Sequence, residues 1–379
     1  MADSASLRFQ KDGKFKILVF TDIHETHRPF RDTLTLINRA LDAVDPDLVV
    51  YLGDTVDGAF PGATPERVRR ALDAVITPVS SRGIPFAPVF GNHDRESGMP
   101  NEEQLKIYQQ YPGCLLMQGA EGVPGCGNYV VTVKGSSDET DRFALWMIDS
   151  GSRISRERLA QGIPDGYAAP EPEQVAWLER RAGELKASNG GRMPGGLLFQ
   201  HIIVPEIYEA LEQVPRGVKG AVKGQENNWK GRYYKLPEGA CGKLGEGPCP
   251  PCYNTGEFAA MKRCNVLGAF FGHDHVNDFE VLHEGIRLTN CKSTGVRSYG
   301  DGIGRGVRVI ELHEDEPGTY QTRSIYFSDL VARHLSNPMT GRLSYGQHLQ
   351  VLRDVGLSVL GTVAAGTAVF AAARKLRKK

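Results

Sequence analysis

Five short apolar runs each stop at residues suited to holding a metal ion. Residues 15–21 (FKILVFT) lead into Asp22-Ile23-His24, residues 48–52 (LVVYL) into Gly53-Asp54, and residues 86–90 (FAPVF) into Gly91-Asn92-His93-Asp94. Residues 197–199 lead into Gln200-His201, and residues 266–271 (VLGAFF) into Gly272-His273-Asp274-His275. Imidazole mixed with carboxylate and amide oxygen suits Fe, Mn, Zn or Co, whereas Ca and Mg favour all-oxygen shells. Asp22, His24, Asp54, Asn92, His201, His273 and His275 are too many donors for one tetrahedral ion. They suit two ions, divalent or of mixed valence, that share a carboxylate. Two such ions against two ionised aspartates leave a positive centre that attracts an anionic substrate.

Scattered donors need a scaffold that gathers them. The apolar runs read as buried strands, and helical patterns lie between them over residues 30–44, 65–80 and 171–188. Thr64 and Pro65 open the second helix, and Asn189-Gly190-Gly191 close the third. Strands alternating with helices imply parallel pairing, and ligands gather beyond the carboxyl ends of parallel strands. After Phe271 the pattern changes to successive strands over 279–282, 286–289, 307–312 and 319–326, an antiparallel rhythm. The expected fold class is α/β: two mixed β-sheets packed face to face with helices on the outside. In Asp-x-His and His-x-His, alternate residues of an extended segment face the same side, so both members can reach one centre. His27, His283, His313, His334 and His348 stand outside these blocks and read as ordinary surface or core histidines.

The expected organisation is a lead-in over 1–14, a catalytic domain over 15–328 containing an irregular Gly/Pro-rich insertion over 202–257, a linker or helix over 329–354, and an apolar segment with a basic end over 355–379. Lys+Arg and Asp+Glu number 45 each in the 379 residues, but five of the basic side chains fall in the last six positions. The remainder is therefore acidic overall, which argues against a nucleic-acid-binding surface. No apolar signal-peptide core precedes the first strand, and 7 cysteines read as mostly reduced thiols, so a cytoplasmic catalytic domain is expected. Cys241, Cys249, Cys252 and Cys264 match no standard zinc finger in their spacing. Residues 355–373, from Val355 to Ala373, carry no charge and precede Arg-Lys-Leu-Arg-Lys-Lys, which suggests membrane association of the segment ending at Lys379.

The blocks Asp22-Ile23-His24, Gly53-Asp54, Gly91-Asn92-His93-Asp94, His201 and Gly272-His273-Asp274-His275 resemble the signature of the calcineurin-like metallophosphoesterase superfamily. The segment Gly272 to Asp278, with Ser298-Tyr299-Gly300-Asp301 and Arg308-Val309, is most similar to a purple-acid-phosphatase-like branch. Arginines that Ser/Thr protein phosphatases carry in two of these blocks are absent: Gly58 follows Asp57, and Phe90 precedes Gly91. Asp57 also stands where purple acid phosphatases have a tyrosine ligand. The resemblance implies that Asp22, His24 and His275 hold one ion, that Asn92, His201 and His273 hold the other, and that Asp54 bridges. It further implies His93 as catalytic acid with Asp94 as its orienting partner. The activity so implied is phosphomonoester hydrolysis. A phosphodiesterase or pyrophosphatase acting on a nucleotide or lipid-linked substrate is the near alternative, and an inactive metal-binding scaffold the distant one.

Overall fold

Strand-forming runs of Val, Ile, Leu and Phe are stable only where both faces of a sheet are covered, and the chain provides that cover twice. The computed structural model describes residues 4–58, 63–333 and 335–336. Its strands are β1 (Ser4–Arg8), β2 (Lys14–Phe20), β3 (Leu48–Leu52), β4 (Phe86–Val89), β5 (Tyr129–Lys134), β6 (Asp141–Met147), β7 (Gly195–Phe199), β8 (Glu212–Val214), β9 (Val222–Lys223), β10 (Tyr233–Lys235), β11 (Val266–Phe271), β12 (Glu280–His283), β13 (Ile286–Asn290), β14 (Gly306–His313) and β15 (Gln321–Tyr326). The helices are α1 (Arg31–Val44), α2 (Pro65–Ser80), α3 (Asn101–Tyr108), α4 (Arg156–Ala160), α5 (Pro172–Ser188), α6 (Ile207–Ala210), α7 (Glu226–Trp229), α8 (Glu257–Arg263) and α9 (Phe327–Leu330).

A five-stranded sheet has the order β15-β14-β2-β3-β4, and a seven-stranded sheet the order β1-β5-β6-β7-β11-β13-β12. In the first, β2, β3 and β4 run parallel, while β14 is antiparallel to β2 and to β15. In the second, β6, β7, β11 and β13 run parallel, with β12 antiparallel to β13. The late strands thus pair antiparallel as expected, but as two hairpins in different sheets.

Side chains of alternate parity separate the layers. On β5 and β6, Tyr129, Val131, Val133, Phe143, Leu145 and Met147 pack in one cluster with Ile17, Leu18 and Val49 of the five-stranded sheet. Val130, Ala144 and Trp146 face the other way, onto Trp177 of α5 and Met261 of α8. α1 and α2 cover the outer face of the five-stranded sheet through Leu36, Ile37, Leu72 and Val75. α2 begins as the sequence predicts, with Thr64 Oγ1 accepting from the Arg67 N–H at 3.3 Å.

Within the lead-in, Ser4–Arg8 forms β1 beside β5, with Ala5 and Leu7 turned onto the core. The 202–257 segment is not irregular throughout: β8, β10 and β9 form a three-stranded antiparallel sheet. Strands of two or three residues leave no readable periodicity. Their order comes from aromatic packing instead, with Tyr208 stacked on Trp229 at 4.4 Å and edge-on to Tyr234 at 4.6 Å. Among the described residues no helix is long and apolar enough to cross a membrane. The 355–379 segment, and all of 337–354, lie outside the described residues.

Candidate metal centre

The five-stranded sheet delivers Asp22 and His24 after β2, Asp54 after β3, and Asn92 and His93 after β4. The seven-stranded sheet delivers His201 after β7, and His273 and His275 after β11. The two sets meet where the sheets' carboxyl edges adjoin. Asp22, His24 and His275 form one buried cluster of ligand atoms within 4.8 Å of one another, and Asp54, His201 and His273 form a second.

Within the first cluster, His275 Nε2 lies 3.2 Å from Asp22 Oδ1 and 3.3 Å from His24 Nε2. Asp54 Oδ2 lies between the clusters, 3.1 Å from His201 Nε2 and 3.6 Å from His24 Nε2. Donors bound at about 2.1 Å to a common ion lie roughly 3.0–3.4 Å apart, depending on tetrahedral or octahedral angles; the 3.1, 3.2 and 3.3 Å separations fall in that range and the 3.6 Å one lies just beyond it. Asp54 Oδ2, His201 Nε2 and Asn92 Oδ1 are buried without a hydrogen-bond partner. Buried polar atoms are ordinarily satisfied, so these orphans, two of them 3.1 Å apart, fit a cation-binding role. Two such neighbouring clusters are suited to divalent metal cofactors.

Neighbouring carbonyls aim the rings. His201 Nδ1 donates to Leu52 O at 2.8 Å, and His275 Nδ1 donates to Tyr299 O at 3.1 Å. Each bond fixes the tautomer and leaves Nε2 for the centre. Asp22, His24, Asp54 and His273 all have left-handed backbone, with φ of 49°, 48°, 50° and 71°. Such conformations cost non-glycine residues on the order of 1 kcal/mol or more each and concentrate where function over-determines the backbone. Close approach also dictates Gly91, where a Cβ would collide with the Asp54 carboxylate, and Gly272, where it would lie 2.8 Å from Asp22 Oδ2.

Burial pushes His24 and His273 down to about 3, more than the attraction of Asp54 and Asp22 restores, so both rings are neutral donors. His201 is pushed up to about 10: burial opposes protonation, but Asp54 and Asp22 outweigh it. Asp22 is lowered to about 2 because His275 and His201 outweigh the effect of burial. The fully buried carboxylates therefore demand positive charge beside them.

His93 lies at the rim, its ring 5.3 Å from that of His24 and its N–H donating to Asp54 Oδ1 at 2.8 Å. Asp94 does not contact the His93 ring. Its carboxylate accepts from the N–H groups of Asp54, Thr55, Val56 and Gly91 at 2.8–3.1 Å. It ties the β3 and β4 turns together, and none of these bonds goes to the His93 ring.

Several supporting residues surround the centre through contacts that the sequence does not indicate. Tyr299 lies flat on His275, with centroids 4.2 Å and planes 6° apart, and donates to Glu246 Oε1 at 2.9 Å. Arg305 is fully buried and donates to Ser293 Oγ at 2.9 Å, bracing the loop behind Asp22. Tyr167 sets its edge against His273 at 4.3 Å. Cys249 approaches His273 and Asp274 within ligand distance of one another, whereas Cys241 is exposed and Cys264 is buried in the α5–α8 core. Spacing along the chain signals none of these contacts. Arg297 turns away from the centre, pairing with Glu25 at 3.2 Å and lying over Phe30 at 4.3 Å.

A family model described as calcineurin-like phosphoesterase matches residues 15–192. The chain is 29% identical over 339 residues to "Probable inactive purple acid phosphatase 14" of Arabidopsis thaliana, covering 80% of this chain and 77% of that protein. It is 26% identical over 343 residues to "Phosphatase DCR2" of Saccharomyces cerevisiae, covering 83% of this chain and 54% of that protein. The fold is similar to that of a dimetal phosphatase from Danio rerio, with TM-score 0.50 and 13% identity over 83% of this chain and 99% of that one. The match over residues 15–192, with the sandwich and the paired clusters, makes the chain similar to calcineurin-like phosphoesterases. Over 80–84% of its length it is similar to proteins named as probable inactive purple acid phosphatases.

Proposed function

We propose that this chain hydrolyses phosphate monoesters at a two-metal centre. The observation that carries the reading is Asp54 Oδ2, buried, without a hydrogen-bond partner, and between imidazoles of both clusters. In this reading Asp22, His24 and His275 would hold one ion and Asn92, His201 and His273 the other, with Asp54 placed to serve both. Bound divalent ions supply acidified water and neutralise phosphoryl charge.

The chain's own groups do the rest. Gly91 and Gly272 let the donors approach, and the Leu52 and Tyr299 carbonyls hold two rings in register. His93, about 40% exposed at the rim, is placed to give a proton to the departing alkoxide. We assign the catalytic-acid role to His93 and a turn-bracing role to Asp94.

Several relatives carry "inactive" in their names, which favours a second reading, a metal-binding scaffold without turnover. One experiment separates the two. The chain is loaded in turn with Mn, Fe, Zn and Co, its metal content measured, and p-nitrophenyl phosphate compared with the corresponding bis-ester. Metal-dependent release from the monoester supports the proposal, and preference for the bis-ester indicates a phosphodiesterase. Two bound ions with no release from either ester support the scaffold. For residues 355–379 we propose membrane association, on composition alone.

A further inference from the structure

With Asp94 committed to four backbone N–H groups, the His93 ring needs another anchor, and one is in place. His93 Nδ1 lies 2.6 Å from Glu96 Oε2. The short 3₁₀ turn Asp94–Ser97 produces this pair, since residues three apart eclipse one another in that geometry. Gly58 closes the turn from the other side: a Cβ there would lie 2.6 Å from Glu96 Cβ and collide with the His93 carbonyl. The glycine that replaces the protein-phosphatase arginine therefore leaves room for the 93–96 turn.

We infer that Glu96 is the positioning residue for His93, holding Nδ1–H so that Nε2 is the nitrogen offered to the leaving group; this rests on the hydrolase reading above. The backbone of His93 is tied to Asp54 and its ring to Glu96, so the imidazole is held at two points. As water oxygen bonds to phosphorus and the phosphorus–oxygen ester bond breaks, the bonding pair passes to the departing oxygen. Nε2–H gives that oxygen its proton, and the imidazole is left neutral with Nδ1–H still donated to Glu96. Both side chains are about two-fifths exposed, at 40% and 41%, so substrate can reach the pair.

The test uses the metal-loaded full chain with Glu96→Ala and Glu96→Gln, on a primary alkyl phosphate and on p-nitrophenyl phosphate. General acids contribute roughly 100-fold or more when the leaving group is poor. Glu96→Ala should therefore lower kcat on the alkyl ester by about 10-fold or more, with KM unchanged and little effect on p-nitrophenyl phosphate. Glu96→Gln should recover most of the loss, because its amide oxygen still accepts Nδ1–H. Added to His93→Ala, Glu96→Ala should cost nothing further. Ring ¹⁵N shifts should report Nδ1–H in the wild type and a tautomer mixture in Glu96→Ala. Equal losses on both esters, losses that multiply with His93→Ala, or an unchanged ring tautomer would each overturn the inference. A wild type inert on both esters, with ring shifts still dependent on Glu96, would overturn the hydrolase reading and support the pairing.

Discussion

Asp54 Oδ2 stands 3.1 Å from His201 Nε2, and neither atom has a hydrogen-bond partner. Leaving buried polar atoms in that condition costs on the order of 1–3 kcal/mol each, so the native protein compensates with a different interaction. Asparagine preserves the shape of Asp54 and removes its charge. The Asp54→Asn protein should lose bound metal and lose metal-dependent hydrolysis by more than the roughly 10–100-fold typical of outer partners. Elemental analysis beside a rate assay checks this, and full retention of both ions would refute the shared-carboxylate role.

Ions that bind only the folded state raise its stability, by about 2.7 kcal/mol when present at 100 times their dissociation constant. Adding Mn or Zn should therefore raise Tm and a chelator should lower it again. The shift should disappear in Asp22→Ala, which removes a donor of one cluster, and shrink in His201→Ala, which removes a donor of the other. Differential scanning fluorimetry reads all of these without any turnover.

Glu257, at the start of α8, places its carboxyl in the core, where burial pushes it up to about 8 from an ordinary 4.5 despite a 3.4 Å bond from Gln200. Folding therefore favours the protonated acid. Its contribution is full below the unfolded value and is lost as pH rises from about 4.5 through about 8. Denaturant titrations at pH 5 and pH 9 should show a wild-type decline exceeding that of Glu257→Gln by on the order of 3 kcal/mol. Identical declines in the two proteins would refute this.

Full-length protein should sediment partly with anionic vesicles or membranes, and a chain ending at Asp354 should not. Equal partition of the two would remove residues 355–379 as an anchor.

Much of the scaffold was readable because its strands are buried on both faces. β3 and β11 begin and end where their apolar runs do, and α2 spans the residues its cap and proline mark. β1 was missed because an edge strand with one covered face shows only Ala5 and Leu7. The metal-type donors were legible because each follows the carboxyl end of a strand. Side-chain direction was not: Asp94 is adjacent to His93 yet turns to the β3 turn, while Glu96 reaches the ring through a local 3₁₀ turn. Tyr299 and Cys249 are brought to the histidines by loops whose paths no periodicity encodes.

The donors are divided by architecture, with the two aspartates, His24 and Asn92 on one sheet and His201, His273 and His275 on the other. A cation held by both groups would act as a rivet through the sandwich, and neither half could retain it alone. A fragment cut after residue 192, the stretch the family model recognises, would keep the first group and forfeit every histidine of the second. Occupancy of the rivet thus reports on whether the two leaves have closed.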